Sequence, residues 1–165
     1  MPIYEGSFLV KAPLKRVWDF HADPVSLPKV MTGPVKMDVV HVDRPLMPGG
    51  RIQTVMRVGP VQQRWNLMLK AREPMKFFTD EQIAGEGPMR VWKHTHAFEA
   101  AGSDSNSTRV IDRLEYELPL GVLGKLAGAL FGNLTMRMMF ASRAKATQRL
   151  LEAGGTNTVS LAGVE

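Results

Sequence analysis

The clearest alternation in the chain runs Trp92-Lys93-His94-Thr95-His96-Ala97-Phe98, with a ring at every second position and small or charged residues between. A β-strand sends successive side chains to opposite faces, so Trp92, His94, His96 and Phe98 share one face. Two aromatics bracketing two histidines mark that face as the inward one. The next run, over 108–118, places Val110, Asp112, Leu114, Tyr116 and Leu118 together, with Arg109, Arg113, Glu115 and Glu117 facing away. The intervening Gly102-Ser103-Asp104-Ser105-Asn106-Ser107 is a turn segment, so the two runs read as a hairpin. Upstream, further strands are expected over 3–11, 37–42, 51–58, 62–71 and 76–83. They are separated by Gly33-Pro34, a loop over 45–50, Gly59-Pro60, Pro74 and Gly85-Glu86-Gly87-Pro88.

Helical periodicity appears in two places. Ala12-Pro13 starts a short helix with Val17, Trp18 and Phe20 on its apolar face, and Asp23-Pro24 breaks it. A second short piece follows over 25–30, interrupted by Pro28. From Gly121 to about Glu152 the period becomes helical again, giving the longest helix of the chain. On a projection of 100° per residue, Leu123, Leu126, Leu130, Leu134, Ala141, Ala144 and Leu151 fall on one face, with Thr135, Ser142 and Arg149 opposite. Arg137 falls inside the apolar stripe, with Gln148 nearby. The tail over 153–165 lacks periodicity and is expected to be flexible. Residues 1–152 therefore read as one α+β domain of about seven antiparallel strands, two short helices after the first strand and a long C-terminal helix.

Composition narrows the function. The chain has 165 residues, 44% hydrophobic and 22% charged, as expected of one globular domain. It contains no cysteine, which excludes disulfides, thiolate metal sites and a cysteine nucleophile. The net charge of +5 is spread along the chain without a basic run, so nucleic acid is not the expected partner. No basic segment followed by an apolar run opens the sequence, and the most apolar stretch, 122–141, is interrupted by Lys125, Asn133 and Arg137. A cytoplasmic location without stable membrane insertion is the expectation, with a homodimer left open.

Five segments, in order, resemble bacterial ligand-binding SRPBCC proteins, the superfamily of START domains, birch allergens and polyketide cyclases. They are Phe20-His21-Ala22-Asp23-Pro24, Phe78-Thr79-Asp80-Glu81-Gln82, the Trp92–Phe98 strand, Tyr116-Glu117-Leu118-Pro119-Leu120-Gly121 and Phe140-Ala141-Ser142-Arg143. The resemblance spans nearly the whole domain and implies a helix-grip (START-like) fold, in which a curved sheet closes around the last helix. It also implies a cavity for a lipophilic or aromatic molecule. The superfamily includes carriers, aromatase/cyclases and receptors, so fold leaves the chemistry open.

Several residues bear on that chemistry. If the hairpin closes symmetrically near Ser103, His94 lies across from Asp112, where an imidazole and a carboxylate can hydrogen-bond. Such a pair anchors a ligand, serves as the acid/base pair of a cyclase or dehydrase, or fixes strand register. His94 and His96 at i, i+2, with Asp112 or His21, have metal-ligating spacing, but Trp92 and Phe98 fit an apolar pocket better. No metal and no cofactor are therefore expected. His21 reads as a capping or packing residue and His41 as an ordinary strand residue. Arg137 in the helix stripe would need a partner, which a ligand carboxylate would supply; a phase slip at Gly128 and Gly132 or snorkelling of the side chain are the alternatives. The expected ligand-binding set is Trp65, Trp92, His94, His96, Phe98, Asp112, Tyr116, Leu126, Leu130, Leu134 and Arg137, with His94 and Asp112 the catalytic candidates. The segment 121–132 reads as core packing, or as a mobile lid or a contact with a membrane or partner, and a protein-interaction module without ligand is the third functional reading. Of eleven methionines, Met136, Met138 and Met139 lie close together and suit an adaptable pocket wall.

Overall fold

In the computed structural model, residues 1–102, 106–119 and 133–152 are described. Seven strands form one antiparallel, curved sheet: β1 (Ile3–Val10), β2 (Val35–Val42), β3 (Arg51–Val58), β4 (Val61–Glu73), β5 (Phe77–Gln82), β6 (Val91–Ala101) and β7 (Ser107–Glu117). Their order is β1-β7-β6-β5-β4-β3-β2, so every sequential pair from β2 onward is hairpin-connected and β1 closes the far edge on β7. Gly59, at φ +55°, occupies the two-residue turn that pairs Val58 with Val61; a side chain there would be strained.

Between β1 and β2 lie α1 (Leu14–Ala22), a 3₁₀ turn (Pro24–Ser26) and α2 (Leu27–Val30). Asp23 caps the 3₁₀ turn by accepting the Val25 N–H. Pro28 does not interrupt the second helical piece. It sits in the first turn of α2, where a missing N–H is tolerated. The last helix, α3 (Asn133–Glu152), packs along β1 and against α2. Its expected first part, 121–132, and the tail, 153–165, lie outside the described residues, as do Leu126 and Leu130. No helix among the described residues is long and apolar enough to cross a membrane.

Sheet and helices share one core, with Trp18, Trp65, Leu67, Trp92, Phe98, Leu114, Tyr116 and Phe140 buried in it. Gly6 allows one close approach that fixes α3: Tyr4 folds across it, where any Cβ would collide with the phenol ring. The Tyr4 ring stacks on Phe140 with centroids 4.6 Å apart. Two hydrogen bonds tie the end of α3 to the end of β1, from Gln148 Nε2 to the Leu9 carbonyl and from the Lys11 N–H to Glu152.

The face that α3 presents differs from the leucine stripe. Met136, Phe140, Arg143, Thr147 and Leu151 are buried, whereas Leu134, Arg137, Met138 and Ala141 are exposed. The spacing is helical in both cases, but the helix is rotated by about one residue, roughly 100°. A buried arginine and threonine obscure the true inner face in the sequence.

Candidate functional site

A cavity of about 100 Å³ lies between the concave face of the sheet and the helices. Its apolar wall includes Leu27, Val30 and Met31 from around α2, Met37 and Ile52 from β2 and β3, and Met139 and Phe140 from α3. Trp65 and Trp92 meet edge to face, centroids 4.8 Å apart, on the sheet side. At one end the wall becomes polar, with His21, Asp80, His94, His96 and Arg143 together.

Strand register assembles that polar end. On β6, His94 pairs with Asp80 of β5 and His96 with Phe78, while on the other side His96 pairs with Asp112 of β7 and His94 with Leu114. The expected His94–Asp112 opposition is thus displaced by two residues, because Ala101 pairs with Ser107 and the hairpin closes one residue later than a pivot at Ser103 requires. A shift of two preserves the face, since side chains alternate with period two. The hydrogen bond survives on the diagonal: His94 Nε2 lies 3.0 Å from Asp112 Oδ1. A second diagonal brings His96 Nε2 to 3.3 Å from Asp80 Oδ2.

Arg143 enters this arrangement from α3. Its Nη1 lies 3.3 Å from Asp112 Oδ1 and its Nη2 3.1 Å from His96 Nδ1. His96 Nδ1 also lies 3.1 Å from Asp112 Oδ1, so this nitrogen faces a donor-only guanidinium and an acceptor-only carboxylate at once, while its Nε2 faces Asp80. All five groups are buried. Burial opposes ionisation of Asp112, but the Arg143 charge and the hydrogen bonds from His94 and His96 outweigh it and hold the carboxyl well below its usual range. Asp80 is lowered in the same way, with burial outweighed by the hydrogen bond from His96, helped by the Arg143 guanidinium. Burial, reinforced by His96, depresses His94 to about 4 despite the opposing carboxylates. His21 is likewise pushed well below the ordinary histidine value by burial and by Arg143.

Three buried nitrogens on the cavity residues have no hydrogen-bond partner: His21 Nε2, Trp65 Nε1 and Arg143 Nε. An unmet buried polar group costs about 1–3 kcal/mol, and three of them stand on residues of this one cavity. Asp80, His94 and His96 also offer ligand atoms within 4.8 Å of one another. The contacts on both nitrogens of His96 and the adjacent guanidinium fit that triad to hydrogen bonding better than to a cation.

Of the residues expected at the site, Trp65, Trp92, His94 and His96 line the cavity. Phe98, Asp112 and Tyr116 are buried in the surrounding core; Asp112 reaches the site through the two histidines and Arg143. Leu134 and Arg137 stand on the exposed side of α3, away from the wall. The cation of the site is Arg143, which sequence reasoning passed over, as it did Asp80. His21, read as capping or packing, is a wall residue. Asp80 falls in phase with Phe78, and Arg143 falls one helical turn after Phe140; these were the signals available.

A curved antiparallel sheet gripping a C-terminal helix, with a small apolar cavity between them, defines a helix-grip domain of the SRPBCC type. The chain belongs to the family described as polyketide cyclase / dehydrase and lipid transport, which matches residues 10–141. Among solved structures, TTHA0849 from Thermus thermophilus is similar at 21% identity and a TM-score of 0.69, over 94% of this chain and 100% of that one. The di-domain ARO/CYC BexL from the BE-7585A biosynthetic pathway is 18% identical with a TM-score of 0.69, over 92% of this chain and 47% of its own length. The Zhui aromatase/cyclase from a Streptomyces species is 14% identical with a TM-score of 0.62, over 93% of this chain and 98% of that one. No curated protein matches the chain by sequence. The family and the fold fit a domain that binds a lipophilic ligand.

Proposed function

We propose that this domain binds or carries a small lipophilic molecule, holding its apolar body against Trp65, Trp92 and the α2 side chains and its polar end near His94. The observation that carries this reading is the join of an apolar wall to a buried cluster of imidazoles, carboxylates and a guanidinium, with unmet nitrogens beside the cavity. A site for small molecules combines those two features, whereas a filled core has no use for the second. Native mass spectrometry of protein purified without detergent tests it: a retained lipophilic mass, or a thermal shift with members of a lipophile panel, is expected. Absence of both sinks the proposal. The same reading places the protein in the cytoplasm, which fractionation checks, and light scattering with and without ligand addresses a homodimer.

A second reading takes the His94–Asp112 pair as the acid/base of a cyclase or dehydrase, in a family described as polyketide cyclase / dehydrase and lipid transport, with Zhui named an aromatase/cyclase. The hydrogen bond of 3.0 Å on the cavity wall supports it. The low basicity of His94, about 4, weighs against it, because a general base works best with a pKa near the working pH. Turnover of a polyketide-type ketone that disappears in His94→Ala would favour the enzyme; turnover that persists removes this pair from the mechanism.

A further inference from the structure

His94 has a fixed tautomer. Asp112 is ionised and only accepts, so His94 Nε2 must donate across the 3.0 Å contact, and the neutral ring leaves a lone pair on Nδ1. Among the described residues nothing bonds to that nitrogen, and His94 lines the cavity.

We propose that the cavity selects a small, uncharged ring compound bearing a hydroxyl group, which donates to His94 Nδ1. This rests on the binding function proposed above and names its ligand class. A hydroxyl both gives and takes a hydrogen bond, whereas a ketone only accepts and would set its own lone pair against Nδ1. A carboxylate would add a negative charge beside Asp80 and Asp112, which already face the single guanidinium of Arg143. A cavity of about 100 Å³ is smaller than the void of about 150 Å³ that takes benzene, so a ligand is limited to one ring and enters as the flexible side chains of Met31 and Met139 give way.

Phenol, toluene and benzoate test the idea, because phenol and toluene differ only in the hydroxyl. Calorimetric titration is expected to give phenol about a ten-fold advantage over toluene, with benzoate undetected. In ¹⁵N NMR the His94 Nδ1 resonance should move upfield with phenol and stay in place with toluene. Toluene binding as well as phenol, or an unmoved Nδ1 resonance, overturns the hydroxyl selection while leaving the cavity function standing. Failure of all three probes to bind, together with no retained mass in the native protein, removes both.

Discussion

His94 and Asp112 meet on a diagonal of the β6–β7 ladder, imidazole Nε2 to carboxylate Oδ1 at 3.0 Å, although neither is the other's pairing partner. The same carboxylate oxygen receives Arg143 from α3, so one atom of β7 joins the sheet to the helix across the edge of the cavity. The polar end of the site is therefore also a structural junction, and substitutions there act on stability as well as on binding.

Asp112→Asn tests that junction. The amide loses the charge-assisted acceptor and leaves Arg143 buried without its carboxylate, a change that costs about 3–5 kcal/mol where one partner of a buried pair is removed. The expected outcome is a large fall in the denaturant midpoint. The double variant Asp112→Leu/Arg143→Met, which removes both charges, should lose less than the sum of its single variants. Strict additivity would show that the two residues do not interact energetically.

Acid should weaken the fold in two stages. The unfolded chain protonates His94 near the ordinary value of 6.5 and the folded one only at about 4, so between these values the unfolded state binds more protons and stability falls as pH falls. The shift corresponds to about 3 kcal/mol, and His21, depressed in the same direction, adds to it. Asp80 and Asp112 act lower. Their contribution is complete above the ordinary carboxylate value and is lost as pH drops toward their depressed folded values. Urea midpoints at pH 7, 5.5 and 4.5 should decline steadily, and less steeply in His94→Gln. A flat profile over that range contradicts the neutral, buried imidazole.

The strands were readable because their period of two is insensitive to the errors sequence reasoning makes. Placing His94 opposite Asp112 missed the register by two, yet both residues stayed on the inner face and still found each other. The helix gave no such protection. A turn of 100° per residue means that one misjudged position rotates the whole face, and the exposed Leu134 and buried Arg143 and Thr147 reversed the usual polarity cues. Asp80 was hidden for a related reason: a carboxylate on a strand reads as solvent-facing until its partners, His96 and Arg143, are known to come from another strand and from the last helix. Long-range partners decide which polar residues go inside, and local periodicity carries no record of them.

The rotation of α3 has its own test. Arg137→Ala and Leu134→Ser alter exposed side chains and should change stability by no more than about 0.5 kcal/mol. Phe140→Ala removes a ring stacked on Tyr4 at 4.6 Å and set edge-on to His94 at 5.1 Å. It should cost about 3–5 kcal/mol. Equal effects from Arg137 and Phe140 in chemical denaturation would place the helix in the phase suggested by its leucines.

The Asp80–His94–His96 triad invites a metal, and the hydrogen bonds around it argue that none binds well. A metal-ligating histidine needs a lone pair toward the ion and usually donates its other nitrogen to an acceptor. His94 meets that condition through Asp112. His96 is held on both nitrogens, its Nδ1 between Arg143 Nη2 and Asp112 Oδ1 at 3.1 Å each and its Nε2 against Asp80 at 3.3 Å. A cation bound there would have to break into those contacts and sit close to a buried guanidinium. Addition of zinc or iron(II) to purified protein should therefore leave the melting temperature unchanged, whereas a ligand at one hundred times its dissociation constant stabilises by about 2.7 kcal/mol. Arg143→Met, which removes the competing donor and the charge, is the variant in which zinc binding would first be expected to emerge. Saturable stabilisation of the unsubstituted protein by zinc, lost in His96→Phe, would make the triad a metal centre and Arg143 part of its surroundings.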